Sequence, residues 1–183
     1  MNFEAVLKML LESFQKANID TALIGGFALQ ASGIVRATKD IDFLVAEEDM
    51  PRVKIMMISF GYDILHENQD VCNFAGKMKE LGRVDFLLAH RKYARAMLEC
   101  AKAKEVLQGK FKVKIIRTED LIGLKVQSSS NDPSRYNLDM SDIESLIRLH
   151  YKDLDLNLIK EYFSLFNREK ELKDILKKVR HAH

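Results

Sequence analysis

Two aspartates, one residue apart, lead an apolar run and are the clearest candidates for chemistry in this chain. They stand in Asp40-Ile-Asp-Phe-Leu-Val45. A strand alternates faces at every residue, so Asp40 and Asp42 would point to the same side. Two neighbouring carboxylates are electrostatically unfavourable unless a cation neutralises them. Oxygen ligands of this kind suit Mg²⁺, which also binds substrate phosphates, so the pair indicates metal-dependent phosphate chemistry.

A pair of glycines precedes these acids and offers a second feature of phosphate chemistry. Gly25-Gly26 ends the apolar run Leu23-Ile24 and opens a short segment with helical spacing. Backbone N–H groups at the start of a helix are free to bind an anion. A phosphate cradle beside metal-binding carboxylates predicts a protein that handles nucleotides.

A third carboxylate is needed to complete such a metal site, and Asp85 is the natural candidate. It lies in a strand-like segment, Arg83-Val-Asp-Phe-Leu-Leu88, in which Val84 and Phe86 face the other way. Three carboxylates from two strands could hold two Mg²⁺ ions, one to activate an acceptor hydroxyl and one to orient a triphosphate and its leaving pyrophosphate. Asp85 could equally form an ion pair with Arg83, and other acids compete for the role: Asp63, Glu67 and Asp70.

Hydrophobic periodicity predicts the elements that must position these residues. Strands are predicted at 21–24, 40–45, 62–66, 71–75, 83–88 and 110–116. Helices are predicted at 3–16, 26–32, 50–60, 91–101, 118–126, 134–150, 155–166 and 168–180. Between two of them, Ser128-Ser-Ser-Asn-Asp-Pro133 is predicted to be a mobile linker. The chain thus divides into an α/β part, 1–117, and a helical subdomain, 118–183, that is expected to close a cleft over the carboxylates.

Composition limits the class of protein. With 183 residues, 47% of them hydrophobic, the chain can bury the core of one globular domain with a small helical appendage. No apolar run approaches the roughly 20 residues of a membrane span. The N-terminal residues lack the pattern of a secretory signal, and Cys72 and Cys100 have no metal or redox spacing. These features predict a cytoplasmic protein that does not enter a membrane.

Charge is unevenly distributed along the chain. The net charge is only +2, but residues 77–117 hold 12 basic and 4 acidic side chains. Such a region could bind a polyanion such as RNA. It could also be an ordinary solvated surface, which the absence of interleaved aromatic residues favours.

The glycine pair, the spacer, Asp40-Ile-Asp42 and the distant strand acid together resemble the polymerase-β-like nucleotidyltransferase superfamily. Within it, the chain is most similar to minimal bacterial nucleotidyltransferases, which include abortive-infection-type toxins and relatives of aminoglycoside and lincosamide nucleotidyltransferases. The resemblance implies an α/β (α+β) fold with a short mixed sheet flanked by helices. It implies that Asp40, Asp42 and Asp85 bind metal, with Asp85 also able to act as base, and that Gly25 and Gly26 contact phosphates. Where this family often has Gly-Ser, Gly26 leaves only backbone contacts.

The same resemblance implies further nucleotide-binding residues: Arg36, Thr38, Lys39 and Lys125. Lys125 follows Asp120 in a segment similar to a helix of the toxins, although it could also be an exposed helix residue. Three polar residues lie at positions similar to those of the next helix in these relatives, where acids position the site: Arg135, Asp139 and Asp142. The alternative is that the three residues form ion pairs on the surface of a helix.

The resemblance implies Mg²⁺-dependent transfer of a nucleoside monophosphate from an NTP, such as ATP, to a hydroxyl or phosphate. The acceptor would be RNA or tRNA, a protein or a small molecule, and a toxin would have an antitoxin partner. Two alternatives remain: a non-catalytic nucleotide-binding or toxin–antitoxin regulatory protein of the same fold, and an RNA-binding module.

Overall fold

The computed structural model describes residues 1–180, which form two compact units. One unit contains Met1–Ala31 and Val35–Ile116. The other contains residues 32–34 and the described chain from Arg117 onward, so a short segment before the paired aspartates groups with the helices. The predicted end of the helical subdomain, at 183, lies outside the described residues, and closure of a cleft stays a prediction.

A seven-stranded mixed sheet forms the centre of the first unit. Its strands are β1 (Thr21–Leu23), β2 (Asp40–Ala46), β3 (Tyr62–Glu67), β4 (Val71–Gly76), β5 (Arg83–Ala89), β6 (Lys102–Val106) and β7 (Phe111–Ile115), in the order β3-β4-β5-β2-β1-β7-β6. The β2–β5 and β1–β7 pairs are parallel and the others are antiparallel. The predicted α/β class and mixed sheet are therefore confirmed.

Strand β6 is the strand that the sequence did not predict. Its residues, Lys-Ala-Lys-Glu-Val, have only Val106 buried, so the segment shows no alternation of apolar and polar residues. It is held as an edge strand by its antiparallel pairing with β7. Backbone pairing with β7, whose buried and exposed residues alternate, outweighs the weak strand propensity of residues 102–106.

Four helices accompany the sheet in this unit: α1 (Phe3–Ala17), α2 (Gly25–Ala31), α3 (Met50–Ser59) and α4 (Lys92–Glu99). The apolar stripe of α1 ends in Phe14, whose ring packs edge-on against Phe43 of β2 and Phe86 of β5. Phe43 and Phe86 stack on each other across the two strands at 5.7 Å. Because these rings fill the core side of β2 and β5, the alternate residues of both strands point to the opposite face.

The second unit is helical, with α5 (Thr118–Asn131), α6 (Tyr136–His150), α7 (Leu156–Ser164) and α8 (Glu169–Arg180). The predicted mobile linker is wrong, because α5 continues through residues 128–131. The Ser129 and Ser130 hydroxyls donate to the carbonyl of Val126 one turn earlier, and Arg168 donates to both serine side chains. The serines are thus packed within the unit, and the helix ends only where Asp132 precedes Pro133.

No helix in the described part of the chain has the length and apolar character needed to span a membrane.

Candidate functional site

Three carboxylates meet on one face of the sheet where β2 and β5 run side by side. The parallel register sets Asp42 directly opposite Asp85 and Asp40 opposite Arg83. The carboxylates of Asp40, Asp42 and Asp85 offer oxygen atoms that all lie within 4.8 Å of one another. Ile41, between the two acids of β2, and Phe43, which follows them, are fully buried on the core side. Because side chains alternate along a strand, Asp40 and Asp42 point to the opposite face. The structure thus brings together the three acids that the sequence singled out.

The surroundings of Asp85 fit a bound cation. Its Oδ1 is buried and has no hydrogen-bond partner among the described residues. Burial raises the pKa of Asp85, and the charge of Asp40 acts in the same direction, while Asn73 and Arg83 only partly offset them. A cation would favour the charged form and supply the partner that Oδ1 lacks. A donor set made only of carboxylate oxygens suits Mg²⁺ rather than a soft metal.

The glycine pair lies in contact with the acid cluster. Gly25 begins α2 with a φ of +58°, and a Cβ there would lie 2.0 Å from Oδ2 of Asp42. A Cβ on Gly26 would lie 2.5 Å from the hydroxyl oxygen of Thr38. Both positions therefore need glycine, because the side chains of Asp42 and Thr38 pack directly against the backbone there. This requirement is separate from the phosphate contacts that the sequence predicted for the two glycines.

Replacing Gly25 by Ala is expected to misplace Asp42 and to lower activity by about a hundredfold, the typical cost of a displacement near 1 Å in a catalytic site. Gly109→Ala is the matched control, since Gly109 also has a positive φ, of +82°, but its Cβ would meet only Glu105 at 3.4 Å. Steady-state kinetics of the two variants, alongside thermal unfolding, check this. Equal activity losses in both would show that the Asp42 contact has no special importance.

The segment before β2 orients the first aspartate. The Thr38 hydroxyl lies 3.0 Å from the backbone oxygen of Asp40 and 3.2 Å from its Oδ1, so it can donate to either. Gln30 of α2 donates to the carbonyl of Arg36 at 2.8 Å. Arg36 is half-buried and Lys39 is exposed. Thr38 is therefore placed to fix the Asp40 carboxylate, whereas phosphate contacts of Arg36 and Lys39 stay predictions.

Two further polar residues beside Asp85 were not among the predicted site residues. Asn73 of β4 lies directly opposite Asp85 in the antiparallel register, and Nη2 of Arg83 lies 3.4 Å from Oδ2 of Asp85. Arg83 was recognisable in the sequence, because two residues on a strand return to the same face. Asn73 was not, because its place depends on the β4–β5 register. The Arg83–Asp85 ion pair, which the sequence offered as an alternative to a metal-binding role for Asp85, is therefore present within the acid cluster.

The competing acids lie elsewhere and have cationic partners. Within the described residues, the metal-sized cluster contains only the three aspartates of β2 and β5. Asp63 lies 3.4 Å from Lys77, Asp70 lies 3.1 Å from Arg91, and Glu67 pairs with Lys54. None of these acids joins the cluster.

Lys125 lies inside the helical unit rather than on its surface. Its side chain is buried, with Nζ 3.0 Å from Asp139 and 2.6 Å from Asp142. Both acids are buried as well, so the interpretations of Lys125 as an exposed residue and of these acids as surface ion pairs are wrong. Arg135, which is half-exposed, adds a second cation 3.2 Å from Asp139. These contacts favour a structural role for Lys125, and a direct phosphate contact stays a prediction.

The sequence of this chain matches a known protein family over nearly its whole length. A family model described as "Nucleotidyl transferase of unknown function (DUF2204)" matches residues 2–181. The chain belongs to this family. By family it is therefore a nucleotidyltransferase, in agreement with the resemblance that the motifs showed. Comparison with curated proteins gives no significant match.

Solved structures of similar fold agree with this assignment. The solution structure of the antibiotic-resistance factor ANT(2'')-Ia has a TM-score of 0.65 and 17% identity, with all of both chains covered. The lincomycin-bound lincosamide adenylyltransferase LnuA has a TM-score of 0.57 and 19% identity over 78% of this chain and 95% of its own. An antigenic nucleotidyltransferase-like protein from Paracoccidioides brasiliensis has a TM-score of 0.58 and 16% identity over 96% and 92%. At these identities the likeness establishes the nucleotidyltransferase fold.

Proposed function

We propose that this DUF2204 protein transfers a nucleoside monophosphate from an NTP to an acceptor hydroxyl or phosphate, with Mg²⁺ held by Asp40, Asp42 and Asp85. The observation that carries the proposal is the convergence of these carboxylates, with oxygens within 4.8 Å, from two adjacent parallel strands. When bound, Mg²⁺ supplies charge stabilisation for the phosphates. The buried Oδ1 of Asp85, which has no hydrogen-bond partner among the described residues, also supports cation binding by the cluster.

The residues of this chain divide the work by position. Asp40 and Asp42 hold the cation, and Thr38 fixes Asp40 through its hydroxyl. The backbone N–H groups of Gly25 and Gly26 are proposed to contact the phosphates, with further charge from Arg36 and Lys39. Such a site accelerates transfer mainly by alignment and electrostatic stabilisation.

Asp85 is proposed either to complete the set of metal ligands or to accept the proton of the acceptor hydroxyl. Its Oδ2 is near the Arg83 guanidinium, whereas Oδ1 has no partner. Because Arg83 orients the Asp85 carboxylate through Oδ2, Oδ1 is available to the cation or to the acceptor hydroxyl. Arg83 and Asn73 are thus positioning residues for this carboxylate.

ATP is the proposed donor, because LnuA, which shares the fold, is an adenylyltransferase. The acceptor is proposed to be an RNA end, a protein hydroxyl or a small hydroxyl-bearing molecule. An antitoxin partner belongs to the first two possibilities, because a protein that modifies cellular macromolecules requires restraint. Incubation with alpha-labelled ATP and a cell extract, followed by separation of RNA, protein and small molecules, identifies the labelled class.

Calorimetric titration with each of the four common NTPs tests the nucleotide site directly. The wild type is expected to bind at least one NTP in the presence of Mg²⁺, and binding should be lost in Asp40→Ala/Asp42→Ala. Asp63→Ala is the matched control, because it removes a competing acid outside the cluster and should leave binding unchanged. Failure of the wild type to bind any NTP would contradict the proposal.

A further inference from the structure

A groove with a volume of about 920 Å³ lies along α6 in the helical unit, and it is termed the α6 groove. Most of its lining residues belong to α6, and Ile175 and Lys178 of α8 complete it together with Gly33 and Ile34. Every lining residue belongs to the second unit. The volume is typical of small-molecule sites, which measure about 300–1,000 Å³. The sequence did not predict this groove, and none of the predicted metal or nucleotide ligands lines it.

Helices α6 and α8 lie side by side and run in the same direction. Near the starts of both helices, the Tyr136 hydroxyl donates to Glu171 at 2.9 Å. Near their ends, Arg180 donates to the Tyr151 hydroxyl at 2.8 Å. The groove is lined from Tyr136 to beyond Arg148, which is about 18 Å along a helix axis. A ligand in this groove can therefore contact several turns of α6.

The ring of Tyr136, at one end of the groove, is 40% exposed and yet held in place. Its hydroxyl donates to Glu171, and the Arg168 guanidinium lies 5.2 Å from the ring centroid. Arg168 is itself buried and donates to the side chains of Ser129 and Ser130. Because the ring is fixed before any ligand arrives, little entropy is lost when a ligand packs against it. Its exposed part offers a rigid apolar surface to a ring of the ligand.

Polar side chains along the groove can bind hydroxyl groups. Asn137 and Ser141 are exposed, and their side chains have no hydrogen-bond partner among residues 1–180. The Ser145 hydroxyl donates to the carbonyl of Ser141 at 2.8 Å, and its oxygen can still accept. Amide and hydroxyl groups both donate and accept hydrogen bonds. They therefore match ligand groups that do the same, as hydroxyls do.

The charges of the groove limit the charge of its ligand. Among the described lining residues, Glu144 is the only acid, and its Oε1 lies 2.7 Å from Nη2 of Arg148. Lys178 is exposed and has no ion-pair partner within residues 1–180. A polycation would need several unpaired carboxylates, and a nucleic-acid strand would need a positively charged groove. With one acid that is already paired and one unpaired lysine, the groove fits a ligand that is neutral or singly negative.

The segment 32–34 connects the groove to the candidate site along the chain. It is held at the end of α6, where Nε2 of His150 donates to the carbonyl of Ser32 at 2.8 Å. Gly33 has a φ of +86°, and a Cβ there would lie 2.8 Å from Leu149. In the sequence, this segment joins α2, which begins with the glycine pair, to the strand of the paired aspartates. A ligand in the groove therefore contacts the chain that links the two.

We propose that the α6 groove binds the acceptor of the nucleotidyl transfer, and that this acceptor is a small, hydroxyl-rich ring compound without positive charge. Glycosides, nucleosides and sugar acids have this chemistry. The ring lies against Tyr136, its hydroxyls bond to Asn137 and Ser141, and a negative group lies at Lys178. Binding in the groove stands on these contacts, whereas the role as acceptor rests on the proposed function.

The transfer itself is a substitution at phosphorus. A hydroxyl oxygen of the bound compound forms a bond to the α-phosphorus of the NTP as the bond to the pyrophosphate oxygen breaks. Pyrophosphate leaves, and the hydroxyl proton passes to Asp85 or to water. No oxidant, reductant or further reactant is required.

Saturation-transfer NMR with the full chain tests which class of compound binds. The hydroxyl-rich class is represented by maltotriose, uridine and glucuronate, the polycations by spermine, and nucleic acid by a single-stranded uridine trinucleotide. Binding is expected for at least one compound of the first class and to be weaker for spermine and the trinucleotide. Absence of binding by the whole first class, or stronger binding of either charged competitor, would overturn the proposal.

Filling the groove tests the location of the site. Ser141→Phe adds a bulky ring on α6 and is expected to raise the dissociation constant of the bound compound by about tenfold or more, as overpacking does elsewhere. Ser164→Phe is the matched control, because it changes an exposed serine of α7 outside the groove. Calorimetry measures both. An unchanged affinity in Ser141→Phe, or equal losses in the two variants, would contradict the assigned site.

Neutralising one lysine tests the charge preference. Lys178→Gln is expected to weaken glucuronate by about fivefold, the effect of an exposed ion pair, and to leave maltotriose unchanged. Lys177→Gln is the matched control, since Lys177 is the adjacent exposed residue of α8 but does not line the groove. The same loss for the neutral and the negative compound would show that Lys178 does not meet a negative group.

Two titrations distinguish this inference from the proposed function. Ser141→Phe is expected to bind NTP with Mg²⁺ as the wild type does, and Asp40→Ala/Asp42→Ala is expected to keep the groove ligand. A protein that binds NTP but no compound of the hydroxyl-rich class would contradict the groove assignment alone. A groove ligand in a protein that binds no NTP would overturn the acceptor role together with nucleotidyl transfer.

Discussion

Replacing Asp42 by Asn is expected to reduce nucleotidyl transfer by about a thousandfold or more while the protein stays folded. Asn keeps the size of the side chain, so its packing against Gly25 is retained. It removes the negative charge from the centre of the cluster, where Asp42 lies between Asp40 and Asp85. The loss should therefore fall on cation binding and on the reaction, and not on stability.

Two measurements together check this expectation. Single-turnover rates with labelled ATP give the loss of activity, and Mn²⁺ binding followed by electron paramagnetic resonance gives the loss of the cation without reference to any acceptor. Asp63→Asn is the control, because it neutralises an exposed acid on β3 that lies outside the cluster. A rate within about tenfold of the wild type, or about 1.4 kcal/mol in barrier height, would remove Asp42 from the metal-binding role.

The acid cluster was predictable because its determinants are local. Period-two alternation puts Asp40 and Asp42 on one face of β2, and the buried Ile41 between them fixes which face that is. The strand phase of Arg83–Leu88 likewise points Asp85 away from the core. The sequence does not specify the register in which β2, β5 and β4 align. That register sets Asp42 opposite Asp85, and Asp85 opposite Asn73.

The errors have a common physical cause, which is that tertiary contacts override local composition. The serine run from residue 128 has the composition of a loop, yet Arg168 and the preceding turn of α5 satisfy its hydroxyls. Strand β6 has a charged composition, yet pairing with β7 holds it in the sheet. The deciding partner is distant in the sequence for the serines, which meet Arg168, and is the next strand of the same hairpin for β6.

Lys125 shows the same limitation for the helical unit. Lys and Asp are usually exposed and are almost never fully buried unless paired. Their pairing here requires α5 to lie against α6, so that one lysine reaches two aspartates that are three positions apart on α6, Asp139 and Asp142. Helical periodicity alone cannot reveal that a polar position of one helix faces a polar position of another.

The electrostatics of this buried cluster depend on Lys125. Burial alone would raise the pKa of Asp139, but hydrogen bonds and charge from Lys125 and Arg135 outweigh it, and the pKa lies below its ordinary value. A carboxyl with a depressed folded-state pKa stabilises the protein above its unfolded pKa, and that contribution is lost as the pH falls through the folded pKa. The charged cluster is therefore a source of stability near neutral pH.

Replacing Lys125 by Met is expected to lower the free energy of unfolding by about 3–5 kcal/mol near neutral pH, because it leaves buried carboxylates without their cation. Chemical denaturation measures this, with Lys160→Met as the control at an exposed helix position. The difference from the wild type should shrink as the pH falls, because without Lys125 the burial of Asp139 raises its pKa, and protonation of that carboxyl then relieves the variant. Unchanged stability together with a raised KM for ATP would instead establish Lys125 as a phosphate ligand.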